Sequence, residues 1–157
     1  MRAATTAIGF VLTLGLAVAG PVAAKELVPF RGEMTGTATV TPVAPPIVSV
    51  LLETSGHASQ LGSFTLQAPH TVNQATLTAT GTYTFTAADG STLTATLSGS
   101  ATLVAPGQLA IAEQGLITGG TGRFEGATGS FSTQRTFFPG TGATHGTFEG
   151  WISTPRD

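Results

Sequence analysis

The chain contains no cysteine, and only 9% of its 157 residues are charged. Without thiols there is no disulfide framework, thiolate zinc site, iron–sulfur cluster or cysteine nucleophile, so the fold must be held by its core alone. Six Lys/Arg stand against eight Asp/Glu, a formal net charge of -2, which excludes the strongly basic face that nucleic-acid binding relies on. Long apolar runs are scarce as well. The one present, Ile8 to Ala19, is about a dozen residues, short of the roughly 20 that a membrane-spanning helix needs. The histidines, His57, His70 and His145, show no i, i+2 or i, i+4 spacing, so no metal site is expected, and nothing in the chain calls for a cofactor.

That single apolar run has the form of an export signal. Arg2 supplies a positive start, and Val22-Ala23-Ala24 places small residues where a signal peptidase requires them, so cleavage is expected after Ala24. Residues 1–24 are then a signal peptide and residues 25–157 a single exported domain, periplasmic or extracellular, with no membrane span. Removal of the leader leaves five Lys/Arg and eight Asp/Glu.

Beyond Ala24 there are 26 threonines, most often alternating with Ala, Gly, Leu, Phe or Tyr. Alternation at period two is the mark of strands with one dry face. Leu77, Ala79, Gly81, Tyr83, Phe85 and Ala87 form one face of the clearest strand, and Leu93, Ala95, Leu97, Gly99, Ala101 and Leu103 the matching face of the next. Residues facing each other across a hairpin share a side, so the intervening turn must hold an odd number of residues. A three-residue loop of Ala88, Asp89 and Gly90 satisfies this, with Gly90 at the left-handed third position and Phe85 opposite Leu93. Further strands are read at 31–41, 47–54, 62–72, 109–118, 129–138 and 144–153. Prolines at 42, 45, 46, 106 and 139 punctuate them. Eight short antiparallel strands with almost no helix fit a closed barrel or a two-sheet sandwich. Short sequential hairpins favour the barrel, which also removes edges that a chain so poor in charge could not protect.

The stretch Thr118-Gly119-Gly120-Thr121-Gly122-Arg123-Phe124-Glu125-Gly126-Ala127-Thr128-Gly129 resembles the glycine-rich G-G-T-G-R/K-F-x-x-A-x-G segment of dirigent proteins and the related allene oxide cyclase barrels. Gly56 to Phe64 is similar to a segment of small secreted bacterial members, in which the Gln60 position is often histidine, and Gly146 to Gly150 is similar to their closing strand. The resemblance implies an all-β, single eight-stranded antiparallel barrel of the allene oxide cyclase-like, calycin type. It also leaves room for a homo-oligomer, and its plant members guide cyclisation or radical coupling. The glycines themselves read as a sharp structural turn with Phe124 plugging one barrel end. A phosphate cradle would need a Gly-Lys-Ser/Thr ending and a following helix, and neither is present.

Polar residues on apolar faces are the candidates for function. Glu113 shares parity with Leu109, Ile111 and Ile117, and Arg135 with Phe131 and Phe137. A buried unpaired charge costs several kcal/mol, so an inward Glu113–Arg135 pair is expected, either as a structural bridge or as the polar anchor of a ligand cavity. Tyr83 and His70 share parity with apolar neighbours and join the cavity candidates. On the last strand, inward Phe148 and Ile152 would leave Glu149 on the surface, whereas an inward Trp151 would bring His145 and Glu149 into the cavity as a proton-transfer pair. No serine triad can be placed. Two kinds of function remain. One is a non-catalytic exported barrel, structural or binding a small apolar or amphiphilic molecule. The other is the steering of cyclisation or coupling that the resemblance implies, which needs positioning more than catalytic groups.

Overall fold

The computed structural model of the protein describes residues 25–153; the expected leader, residues 1–24, lies outside them. The described chain is a closed barrel of antiparallel strands in sequence order: β1 Val28–Ala44, β2 Ile47–Ala58, β3 Gly62–Asn73, β4 Thr78–Ala87, β5 Thr92–Ala105, β6 Gln108–Gly120, β7 Thr128–Phe138 and β8 Ala143–Ser153. A short 3-10 turn, Gly122–Phe124, precedes β7. Closure comes from β1 pairing with β8, from Val28 opposite Ile152 to Thr37 opposite Ala143. The sandwich is thereby excluded.

Threonine-rich alternation works as expected along β4, where Tyr83, Phe85 and Ala87 are buried. The β4–β5 turn is the three-residue loop, with Phe85 opposite Leu93 and Gly90 at φ 84. Two positions depart from the parity reading. Leu77 and Leu103 are 37% and 65% exposed, because they sit at the mouth of the barrel, past the level where its interior is filled. Leu77 belongs to the turn before β4, with φ 55. β1 is longer than alternation suggested at both ends. It passes through Pro42, where a register shift between Pro42 and Ala44 accommodates the ring. It also begins early enough to bury Phe30 completely.

The interior divides into two halves. In one, Phe30, Phe64, Phe85, Phe131 and Phe148 pack around one another, with Phe30 centroids 5.1 Å from Phe148, 5.5 Å from Phe131 and 6.0 Å from Phe85. Edge-to-face and tilted contacts of this kind add to the area that each ring removes from water. Glycines opposite the rings make the space: a Cβ on Gly115 would lie 2.3 Å from Phe131, and one on Gly32 would lie 2.7 Å from Phe148. Phe124 is 1% exposed, so the glycine-rich turn carries it into the core as expected.

Arg123, beside it, ties three turns together. Its Nε donates to Asp89 Oδ2 at 3.0 Å, one Nη donates to the carbonyl of Gln60, the other to that of Leu61 at 3.0 Å, and its guanidinium lies 4.6 Å from the Phe124 ring. The ion pair is exposed and contributes little by itself. Gly122 is required beside it: φ is 58, and a Cβ would lie 2.4 Å from Ser91 Oγ.

Phe124→Ala is expected to cost about 3–5 kcal/mol in urea unfolding, as a large buried side chain leaves a cavity. Gly90→Val has open space for its side chain but the wrong backbone, so a loss of about 1–2 kcal/mol is expected from the left-handed conformation alone. An unchanged midpoint for either variant contradicts the corresponding assignment.

Candidate functional site

In the other half of the barrel the side chains are smaller, and a cavity of about 400 Å³ remains. Its wall is mostly aliphatic, including Val50, Val72, Ala79, Ala101 and Ile111, and its polar floor is formed by His70, Glu113 and Arg135. The volume lies toward the lower end of the roughly 300–1,000 Å³ common for small-molecule sites.

The floor is built from three strands whose polar residues each face a glycine. His70 on β3 lies opposite Gly81, Glu113 on β6 opposite Gly99, and Arg135 on β7 opposite Gly146. A Cβ at Gly81 would lie 2.5 Å from the His70 Cβ, one at Gly99 2.6 Å from the Glu113 Cγ, and one at Gly146 2.5 Å from the Arg135 Cβ. Any larger residue at these positions would displace the polar group it faces.

Glu113 and Arg135 form the expected pair, diagonal across β6 and β7. Arg135 Nη2 donates to Glu113 Oε1 at 2.7 Å and Nε to Oε2 at 3.2 Å. The side chains are only 1% and 3% exposed respectively. The two-pronged geometry matches a guanidinium to a carboxylate and is what a desolvated pair needs. Tyr83 donates its hydroxyl to Glu113 Oε2 at 2.8 Å, and Arg135 Nη1 donates to Thr144 Oγ1 at 3.3 Å. Thr144 in turn donates its hydroxyl hydrogen bond to the carbonyl of Thr136 at 2.8 Å. Burial, and then the Glu113 charge, hold the Tyr83 phenol far above its usual range, so it stays a neutral donor.

Tyr83 differs from expectation in one respect. It does not line the cavity: its ring lies among the aromatics, 5.2 Å from Phe131 and 5.9 Å from Phe85, and only its hydroxyl reaches the floor, from beneath. Glu149 is a second correction. Phe148 and Ile152 point inward, so Glu149 and Trp151 are exposed on the outer wall and His145 with them. No proton-transfer pair of His145 and Glu149 enters the barrel. Glu149 instead borders a broad outer groove of about 810 Å³ with Arg31, Glu33 and His57. That groove is larger than the cavity but open, and these charged and imidazole groups are exposed in it.

His70 is 6% exposed, and its Nδ1 lies 2.8 Å from the carbonyl of Ala68. A carbonyl only accepts, so Nδ1 carries the proton and Nε2 of the neutral ring is left as an acceptor. Burial lowers its pKa from the ordinary 6.5, against the smaller opposing effects of the Ala68 bond and Glu113. The floor can therefore offer a hydrogen-bond acceptor at His70 beside a charge-neutral carboxylate–guanidinium pair. Thr144 was not legible as a partner of Arg135, although its parity with Phe148 was available. Among the described residues, no three His, Cys, Asp or Glu side chains converge as a metal site would require.

Glu113→Ala is expected to lose about 3–5 kcal/mol of stability by stranding a buried guanidinium, and Glu113→Ala with Arg135→Met to recover part of it; strictly additive losses in the double-mutant cycle contradict the pairing. Below about pH 6.5 the unfolded chain takes up a proton that native His70 resists, so stability falls as pH falls through this range. His70→Gln should make that part of the pH–stability slope shallower, and an identical slope in denaturant titrations contradicts the neutral assignment.

No protein-family profile matches the sequence, and no curated protein matches it either. Solved structures do. The pterocarpan synthase dirigent protein GePTS1 superposes with a TM-score of 0.62 at 14% identity, over 94% of this chain and 99% of that one. The pterocarpan synthase dirigent protein PsPTS1 gives 0.58 at 16% identity, over 84% of this chain and 97% of that one. At such identities the likeness is one of architecture: the protein is a closed eight-stranded antiparallel β-barrel that shares its fold with these dirigent proteins.

Proposed function

We propose that the protein is exported and holds a small, largely apolar or amphiphilic molecule in the open half of its barrel. The observation that carries this is the aliphatic cavity of about 400 Å³ with His70, Glu113 and Arg135 on its floor. Burying an ion pair stabilises a fold less than packing hydrocarbon there does, so its position at the base of a hollow favours a binding role over a purely structural one. Apolar walls supply affinity through burial, and the few polar groups fix orientation. The export signal at residues 1–24, the allene oxide cyclase-like relationship and a homo-oligomeric state belong to this same reading.

A second reading is supported by the likeness to pterocarpan synthase dirigent proteins. In it the cavity steers ring closure of the bound molecule. Holding a flexible substrate in one reactive conformation accelerates a cyclisation without a nucleophile, and the His70 acceptor beside the neutral pair could guide a proton.

The test is native mass spectrometry of the protein purified from its secreting host, compared with the Ala101→Phe variant, which fills the cavity from its wall. A small molecule released on denaturation, and depleted about tenfold or more in Ala101→Phe, is the expected outcome. Equal occupancy in both proteins contradicts the cavity site. The structure of the released molecule separates the two readings: an acyclic molecule recovered unchanged after its return to the protein supports binding alone, and a cyclic one whose open-chain precursor the protein closes supports steering.

A further inference from the structure

The two ends of the barrel differ in charge. In an up-and-down barrel alternate turns share an end, so the β1–β2, β3–β4, β5–β6 and β7–β8 connections surround one mouth. It is the mouth above the cavity, whose lining includes Val40, Leu77 and Pro139. From Thr39 to Val48, Val72 to Ala79, Ser100 to Ile111 and Thr136 to Thr144 there is not one Asp, Glu, Lys, Arg or His. The opposite end holds Lys25, Asp89, Arg123 and Glu125.

The uncharged mouth is also ringed by aliphatic side chains held out of the core. Val43 and Leu103 are each 65% exposed, Val104 54%, Val40 42% and Leu77 37%. They come from three different connections around one opening. Single exposed aliphatics are ordinary on a protein surface, but here five gather around one charge-free opening, among uncharged polar residues such as Gln74 and Thr102.

We propose that this end of the barrel docks on an uncharged lipid surface, with the cavity opening toward the lipid. The lack of charge is the first argument for this occupant. No cation is present to bind anionic headgroups and no anion to be repelled, so attraction rests on apolar area alone. The shape of the surface is the second. A second rigid copy meeting this ring tip to tip would bury only the rims and leave the two openings facing each other as a water-filled space, whereas fluid acyl chains conform to an opening of any shape. The inference goes beyond the cavity reading and does not depend on it: docking requires the ring, not an occupied cavity. If both hold, an apolar ligand passes between lipid and barrel without crossing water.

The test uses the mature protein with phosphatidylcholine vesicles. Trp151 is the only tryptophan and lies on the outer wall near the charged end, opposite Pro29 and Ser130. Cosedimentation that survives high salt is expected, with little change in Trp151 emission. In Trp151→Phe combined with Leu103→Trp, the emission should shift to the blue on vesicle addition. Replacing Val43, Leu103 and Val104 together by serine removes only exposed side chains and should weaken partitioning about tenfold or more while the circular dichroism is unchanged. Failure to sediment with vesicles overturns the proposal. So does partitioning that the triple substitution leaves intact, or a blue shift at Trp151 with none at position 103. A dimer lost in the triple variant, without vesicle binding, would assign the ring to a second copy instead.

Discussion

The pairing of β1 with β8 is the constraint on which everything else depends. A chain with 9% charged residues and no cysteine has neither the surface lysines that blunt an open sheet edge nor covalent bonds to hold a weak core. Joining the first and last strands, from Val28–Ile152 to Thr37–Ala143, satisfies the backbone groups that an open edge would present. It also encloses a volume that side chains must either fill or leave hollow. The long outward rows of threonine can then remain uncharged, because their backbones are already paired.

Closure sets the problem of the interior, and glycine opposite large residues solves it twice. In the filled half, Gly32 and Gly115 make room for the rings of Phe148 and Phe131. In the hollow half, Gly81, Gly99 and Gly146 make room for His70, Glu113 and Arg135. Tyr83 joins the halves, with its ring among the aromatics and its hydroxyl on Glu113. The carboxylate thus meets the guanidinium on one side and a phenol held neutral by burial on the other. Such a floor is nearly neutral, and each of its two charged groups is held by more than one side-chain hydrogen bond.

Much of this arrangement was legible in the residues. The barrel order follows from the short sequential hairpins, and the three-residue loop at Gly90 and the Glu113–Arg135 pair follow from parity, because period-two alternation fixes which side chains share a face. Parity does not say how far along the barrel a face stays buried, and so it assigns Leu77 and Leu103 to a core that ends before them. Nor does it say which of two inward neighbours reaches a cavity, and Tyr83 was placed there although only its hydroxyl approaches the floor. Glu149 was ambiguous because Phe148 and Trp151 are both large and apolar and lie on opposite faces of β8. The exposed Trp151 ring shows why a single aromatic residue is a poor guide to orientation. The pairing of each polar residue with a glycine requires the cross-strand register, which short-range patterns do not contain.

The asymmetry of the interior is the central claim, and methyl NMR relaxation under dissolved oxygen tests it without any knowledge of a ligand. Oxygen partitions into apolar voids and relaxes the methyl groups that line them. Enhanced relaxation at Val50, Val72 and Ile111, with little at Leu93 and Ile152 in the packed half, is the result expected of a barrel filled at one end and hollow at the other. Uniformly weak relaxation throughout the interior would mean that the barrel is packed along its whole length, and the account of its function would fall with the cavity.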